Sequence, residues 1–285
     1  APFCYWVKYP IILGHESIGR IVAVGAKVRN LKPGDVITRV GCPAVGDVTP
    51  GWGGFAQTGI ATDWRAMQED GVAGWQDKTV QQILPADIDP AVGTLFITWR
   101  ETLSYVTRMG VRPGASVLIL GSGGNGLAFV AHARNLGATR VAMVGAAARQ
   151  ADATKAGATE YHDYRREDCW KALENGFDFV IDSVGKATNV QRGQQCLKAG
   201  GTIGIYGLDE AGKLSLAPGK TFTFYNGGYD EAEAHEAVLK FSRAGKLNPA
   251  VWIDRKQAFA LADIGQALAA VASRQLVKPL VRLQP

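Results

Sequence analysis

The stretch Gly121-Ser122-Gly123-Gly124-Asn125-Gly126 lies between an apolar run, Val117-Leu118-Ile119-Leu120, and a helical pattern over residues 126–136 closed by Gly137. No other feature of the chain restricts its fold as tightly. A G-x-G-x-x-G sequence between a buried strand and a helix suits a dinucleotide, because each glycine has a separate physical task. Gly121 takes the tight turn, Gly123 lets the backbone approach a diphosphate, and Gly126 allows the helix to lie close to the sheet. Gly124 and Asn125 complete the loop, and the helix start offers its N–H groups to the anion. The alternative is a glycine-rich turn with no ligand. Residues 141–144 form the next apolar strand and complete a βαβ unit. Further strands are expected over 177–181 and 202–206, with a helix over 189–197 behind Thr188 as N-cap. The expected class is therefore α/β, built on a doubly wound parallel sheet.

Around this core the texture changes. Residues 18–60 carry short β-rich runs, at 21–24 and 35–40 among others, broken by Lys32-Pro33-Gly34 and Gly51-Trp52-Gly53-Gly54, which predicts a small β-rich unit. A helix is expected over 91–109. The tail predicts a helix near 231–244, an apolar run at 251–253, a helix over 264–272 and a last strand over 280–283. A length of 285 residues suits about two domains. The 31 basic and 26 acidic residues leave a net charge of +5, but they are scattered singly, which argues against a nucleic-acid partner. Four cysteines without a C-x-x-C pair argue against a disulfide scaffold or a Cys-rich structural zinc lobe, so reduced thiols are expected. No apolar run approaches the about 18 residues needed to cross a bilayer, and the first residues lack the pattern of a signal peptide. A cytoplasmic protein without membrane association is the expectation.

The second strand of the βαβ unit decides the cofactor. An NAD site usually places Asp or Glu at that strand's end, to hold the ribose 2′-hydroxyl. Here the strand ends Val144-Gly145-Ala146-Ala147-Ala148, and the next acid, Asp152, falls on the following helix. Small uncharged residues leave room for a 2′-phosphate, and Arg149 can pair with it. NADP is thus preferred over NAD; the alternative leaves Arg149 as a solvated residue at a helix start.

Pro10-Ile11-Ile12-Leu13-Gly14-His15-Glu16, Gly19-Arg20-Ile21-Val22-Ala23-Val24-Gly25, Gly34-Asp35-Val36 and Gly53-Gly54-Phe55-Ala56 precede the glycine fingerprint in that order. Asp182-Ser183-Val184-Gly185 and Gly200-Gly201-Thr202-Ile203 follow it. This series resembles the zinc-type medium-chain alcohol dehydrogenase/reductase superfamily over nearly the whole chain. The resemblance implies a GroES-like catalytic domain from residues 1–98 and 229–285, and a Rossmann domain over 99–228.

It also implies that His15 ligates a catalytic zinc, with Glu16 beside or transiently on the metal. The family's first ligand is a cysteine well upstream; Cys4 is too close, so this ligand is expected in a segment before Ala1. The third falls near residues 97–99, where Ile97, Thr98 and Trp99 stand. Glu101 is the nearest carboxylate, either substituting as a ligand or serving as a solvated first-turn acid. By resemblance Thr102 lies near the nicotinamide, Tyr164 by the adenosine, Gly207 and Leu208 at the carboxamide, and Lys278 toward the pyrophosphate. The plainer alternatives are a sheet-edge cover for Tyr164 and an exposed strand charge for Lys278. His132, His162 and His235 are expected to carry no chemistry, with His235 solvated.

The expected reaction moves a hydride between NADP(H) and a small alcohol or carbonyl compound, with zinc polarising the oxygen where it is bound. Two alternatives stay open: a zinc-independent quinone or enone reductase, and a non-catalytic NADPH-binding protein. A homo-oligomer, dimer or tetramer, is expected.

Overall fold

The computed structural model describes residues 9–208 and 221–283. Two compact units emerge. One contains residues 9–100, Glu231–His235 and residues 252–283; the other contains Glu101–Asp230 and Glu236–Val251.

The first unit is β-rich, with strands β1 (Ile11–Ile12), β2 (Ile18–Arg20), β3 (Val36–Thr38), β4 (Thr49–Pro50) and β5 (Ile83–Leu84). β1 pairs with β4, and β2-β3-β5 form an antiparallel sheet. The run expected at 21–24 pairs only at its start. Ile21 closes the ladder to Asp35 and Gly34 across the Lys32-Pro33-Gly34 turn, and Val22 beyond it is 87% exposed. Helix α1 (Trp64–Glu69) begins at Asp63, whose carboxylate accepts from the amides of Ala66, Arg29 and Asn30. Burial alone would raise that carboxyl; the amides of Asn30, Ala66 and Arg29 hold it down at about 2.

The helix expected over 91–109 is divided into α2 (Pro90–Gly93) and α3 (Phe96–Arg108). Asp89 caps α2, Pro90 occupies its first turn, and the Thr94 hydroxyl bonds the Ala91 carbonyl where that turn stops.

The second unit holds the six-stranded parallel sheet: β6 (Ser116–Leu120), β7 (Arg140–Gly145), β8 (Glu160–Asp163), β9 (Phe177–Asp182), β10 (Leu197–Ile205) and β11 (Thr223–Tyr225). Their order is β11-β10-β9-β6-β7-β8. The chain runs outward from β6 to β8 and then returns to the other side at β9, so the topological switch point lies between β6 and β9. Both faces are covered by helices. That is why β6 is apolar at Val117, Leu118, Ile119 and Leu120 rather than alternating, with every residue buried.

Helices α4 (Gly124–Asn135), α5 (Gln150–Ala156), α6 (Asp168–Leu173) and α7 (Ala187–Cys196) connect the strands. Helix α7 starts at Ala187 with Lys186 at its cap and no side-chain capping bond, which corrects the expectation for Thr188: that residue lies inside the first turn.

Helix α8 (His235–Arg243), expected with the β-rich unit, groups from Glu236 onward with the sheet. Its Phe241 ring lies 6.4 Å from that of His132 on α4, and Asn135 at the end of α4 bonds the Lys246 carbonyl. In the β-rich unit, α9 (Ile264–Ala272) links the parallel pair β12 (Ala258–Ala260) and β13 (Leu280–Arg282). Among the described residues no helix is long and apolar enough to cross a membrane.

Candidate active site

The glycine loop leaves the carboxyl end of β6 at the switch point. Gly121 has φ +105°, a conformation that L side chains avoid, and a Cβ there would press on Ser183 and Val184 after β9. The Ser183 amide and hydroxyl donate to the Leu120 carbonyl at 2.9 and 2.8 Å, so the two strand ends are tied together. A Cβ on Gly126 would overlap the Gly121 carbonyl oxygen. Gly123 differs: no protein atom lies within 4 Å of the Cβ it lacks, and it stands at the N-cap of α4 without a capping side chain. The protein itself sets no steric demand for glycine there.

The end of β7 is small and uncharged, through Gly145 and Ala146. A Cβ on Gly145 would meet the hydroxyls of Ser122 and Tyr161; Ser122 Oγ accepts from the Ala146 amide at 3.2 Å, and the Tyr161 hydroxyl donates to the Ala146 carbonyl at 2.5 Å. Neither hydroxyl is marked by a local sequence signal. Arg149, expected at a 2′-phosphate, is 8% exposed and donates to Asp152 at 3.1 Å. Tyr164 follows β8 and is 42% exposed.

Gly207 donates to the Asp182 carbonyl, and a Cβ on it would collide with Val184 and Gly185; it therefore belongs to the same strand-end edge as the glycine loop, with Leu208 next to it 49% exposed. Asp182 is wholly buried. Its carboxylate accepts from Gly185 at 2.7 Å and Val184 at 3.2 Å, yet burial pushes its pKa up to about 6.

In the β-rich unit, Gly14 has φ +90° and turns the chain into His15 and Glu16, while Gly54 and Phe55 donate to the carbonyls of Gly14 and Leu13. The same loop brings the Trp52 ring within 5.5 Å of His15. Lys278 Nζ lies 2.6 and 2.7 Å from the two Glu16 carboxylate oxygens, and the Thr98 hydroxyl donates to Glu16 Oε1. Burial would raise the Glu16 carboxyl, but Lys278, Thr98 and His15 together hold it below the ordinary carboxylate range. His15, Glu16 and Lys278 line a cavity of about 1210 Å³ whose walls include Ile18, Phe55, Leu95 and Leu268.

Lys278, expected toward the pyrophosphate, is thus the counter-ion of Glu16. Thr98, named from the sequence only as standing where the third ligand falls, enters the site through its hydroxyl on Glu16, a role that no local signal marks.

Glu101 is 4% exposed and accepts from the Tyr206 hydroxyl at 3.0 Å within the sheet unit, so it is not a solvated first-turn acid. Thr102 is fully buried one position along α3. His235 is buried at 5% exposure rather than solvated, beside Arg100 and Phe96. Arg100 and Arg39 both pair with the buried Glu231, a polar core that holds the β-rich unit together. Among the described residues no three His, Cys, Asp or Glu side chains gather as a metal site; Cys4 lies outside the described residues. Ile97 and Trp99, each 0% exposed, supply no metal-binding lone pair where the third ligand was expected. The described residues therefore fit a dinucleotide and do not by themselves make up the family's zinc site.

Comparison with known proteins agrees with this architecture. A profile described as "Alcohol dehydrogenase GroES-like domain" matches residues 3–73, and one described as "Zinc-binding dehydrogenase" matches residues 124–227. D-arabinitol dehydrogenase 1 of Uromyces fabae is 25% identical over 96% of this chain and 82% of its own length. An NADP-dependent isopropanol dehydrogenase of Clostridium beijerinckii is 32% identical over 73% of this chain and 64% of its own. Benzyl alcohol dehydrogenase of Acinetobacter calcoaceticus shares the fold, with TM-score 0.76 and 19% identity over 98% of this chain and 85% of that one. A Sinorhizobium meliloti 1021 structure bound to NADP has TM-score 0.73 and 25% identity, covering 92% of this chain and 80% of that one. The chain belongs to the zinc-type medium-chain dehydrogenase/reductase superfamily and is an alcohol dehydrogenase-like oxidoreductase.

Proposed function

We propose that the chain moves a hydride between NADP(H) and a small alcohol or its carbonyl counterpart. The observation that carries this reading is the open space at Gly123 beside the first amides of α4, at the switch point of the sheet. Those amides and the helix dipole hold a diphosphate, and bound nicotinamide supplies or receives the hydride. The absence of an acid through Gly145-Ala146-Ala147-Ala148 removes the repulsion that a 2′-phosphate would meet, and Arg149, ion-paired with Asp152, follows β7. The NADP-dependent isopropanol dehydrogenases and the NADP-bound S. meliloti structure support the same preference. For the substrate, the relatives named for alcohols and a polyol support a hydroxyl compound, and an apolar cavity edged by His15, Glu16 and Lys278 suits an apolar body with one polar end.

Fluorescence titration of the full-length protein with NADPH and NADH tests the cofactor. NADPH is expected to bind at least about tenfold more tightly, through a charge-assisted contact in which Arg149 exchanges Asp152 for the 2′-phosphate. Equal affinities would remove the NADP preference, and no binding of either would remove the proposal. A substrate panel then separates the second reading, a quinone or enone reductase, which the apolar residues Ile97 and Trp99 favour. Turnover of quinones or enones with none of alcohols or aldehydes would select it; binding without any turnover would select a non-catalytic protein.

A further inference from the structure

The charged trio of the β-rich unit supports a step beyond this function, and rests on it only for the catalytic consequence. Both Glu16 oxygens accept from a single ammonium, Lys278 Nζ, and one of them also accepts from the Thr98 hydroxyl. The side chains are 17% and 30% exposed for Lys278 and Glu16, so water and salt screen the pair less than at an open surface. A catalytic zinc needs three protein donors drawn from thiolate, imidazole and carboxylate. His15 offers an imidazole, but the adjacent carboxylate is already neutralised, and the position of the third ligand holds Ile97, Trp99 and a hydroxyl engaged with Glu16. Even with one donor supplied from outside the described residues, a dication would have to compete with the ammonium for the same two oxygens, against their mutual repulsion.

We propose that Lys278 is the resident cation of this site, standing in for the divalent metal, and that the chain works without a bound zinc. Lys278 is then a positioning residue: it holds the Glu16 carboxylate in place and, through it, orients the Thr98 hydroxyl. Polarisation of the substrate oxygen falls to hydrogen-bond donors instead of a Lewis acid.

Zinc content after growth in zinc-supplemented medium and dialysis, together with calorimetric titration of zinc chloride into the full-length protein, tests this without a turnover assay. Well under one zinc per chain and no saturable uptake are expected for the wild type. The same is expected for Thr98→Cys, which adds a thiolate but keeps the Lys278–Glu16 pair. Combining Thr98→Cys with Lys278→Met frees the carboxylate, and zinc should then bind at least about tenfold more tightly, the scale on which a metal site responds to its supporting residues. His15→Ala in that background should erase the gain. Should the methionine variant not fold, Lys278→Gln keeps a hydrogen bond without the charge and serves in its place. One zinc per wild-type chain, lost in His15→Ala, would overturn the proposal. So would uptake by Thr98→Cys alone, or none by a folded double variant. No nicotinamide enters these measurements, so a failed NADPH titration would remove the proposed function and leave this inference standing.

Discussion

At the scale of single residues, buried ionisable groups give the clearest expectations. Asp182 has a folded pKa of about 6, above the 3.8 of an exposed aspartate, so the folded state binds its proton more tightly than the unfolded chain does. Its contribution is therefore fully present below pH 4 and is lost as pH rises toward 6. Asp182→Asn keeps an acceptor for the Gly185 amide, and should raise stability at pH 7 by up to about 3 kcal/mol, the equivalent of the shift. Urea unfolding at pH 4 and pH 7 checks this, since the gain should vanish at the lower pH.

His235 has the opposite sign. Burial first, and then Arg100, lower it to about 4, so its contribution is present above pH 6.5 and is lost as pH falls toward 4. Acid unfolding of His235→Leu should lose a component of roughly 3 kcal/mol from its pH dependence over that window. A third case is neutral: the Tyr105 hydroxyl is buried with no partner among the described residues, close against Gly204. Tyr105→Phe removes an unsatisfied group at little cost in packing, and should raise the melting midpoint, with a gain of about 1 kcal/mol.

At the scale of elements, the β6–loop–α4 unit separates stability from ligand binding. Gly126 packs against its own loop, so Gly126→Ala should lower the melting temperature and the NADPH affinity together. Gly123 meets no protein atom, so Gly123→Ala should leave the melting temperature nearly unchanged and reduce NADPH affinity at least about tenfold, because its Cβ would occupy the ligand's side of the turn. Paired thermal melts and fluorescence titrations check both; a Gly123→Ala protein with unaltered NADPH affinity would count against the cradle.

This unit was legible in the sequence because everything that specifies it is local. A fully apolar strand, a glycine turn and a helical period all lie within residues 116–137, and the structure returns β6 and α4 within two residues of the reading. The helix over 91–109 was less legible, because a stop made by one hydroxyl bond, Thr94 to Ala91, leaves no gap in the apolar period.

At the scale of the whole molecule, the β-rich unit is assembled from separated parts of the chain, and its buried charges depend on that assembly. Glu231 meets Arg100 and Arg39 from 131 positions away in one case, with side chains 0% and 2% exposed for the Arg100 pair. Removing one partner strands the other's charge. Arg100→Met should therefore cost about 3–5 kcal/mol in denaturant unfolding, whereas replacing Arg100 and Glu231 together by apolar residues should cost much less.

The parallel sheet, its switch point and the dinucleotide loop follow from the sequence by itself, since periodicity and turn chemistry act over a few residues. The partners of the site side chains were decided only by tertiary structure: Lys278 on Glu16 across 262 positions, Tyr206 on Glu101 across 105. A side chain's charge is written in the sequence. Which opposite charge neutralises it depends on where chain closure places the few groups able to reach it, and no local pattern encodes that.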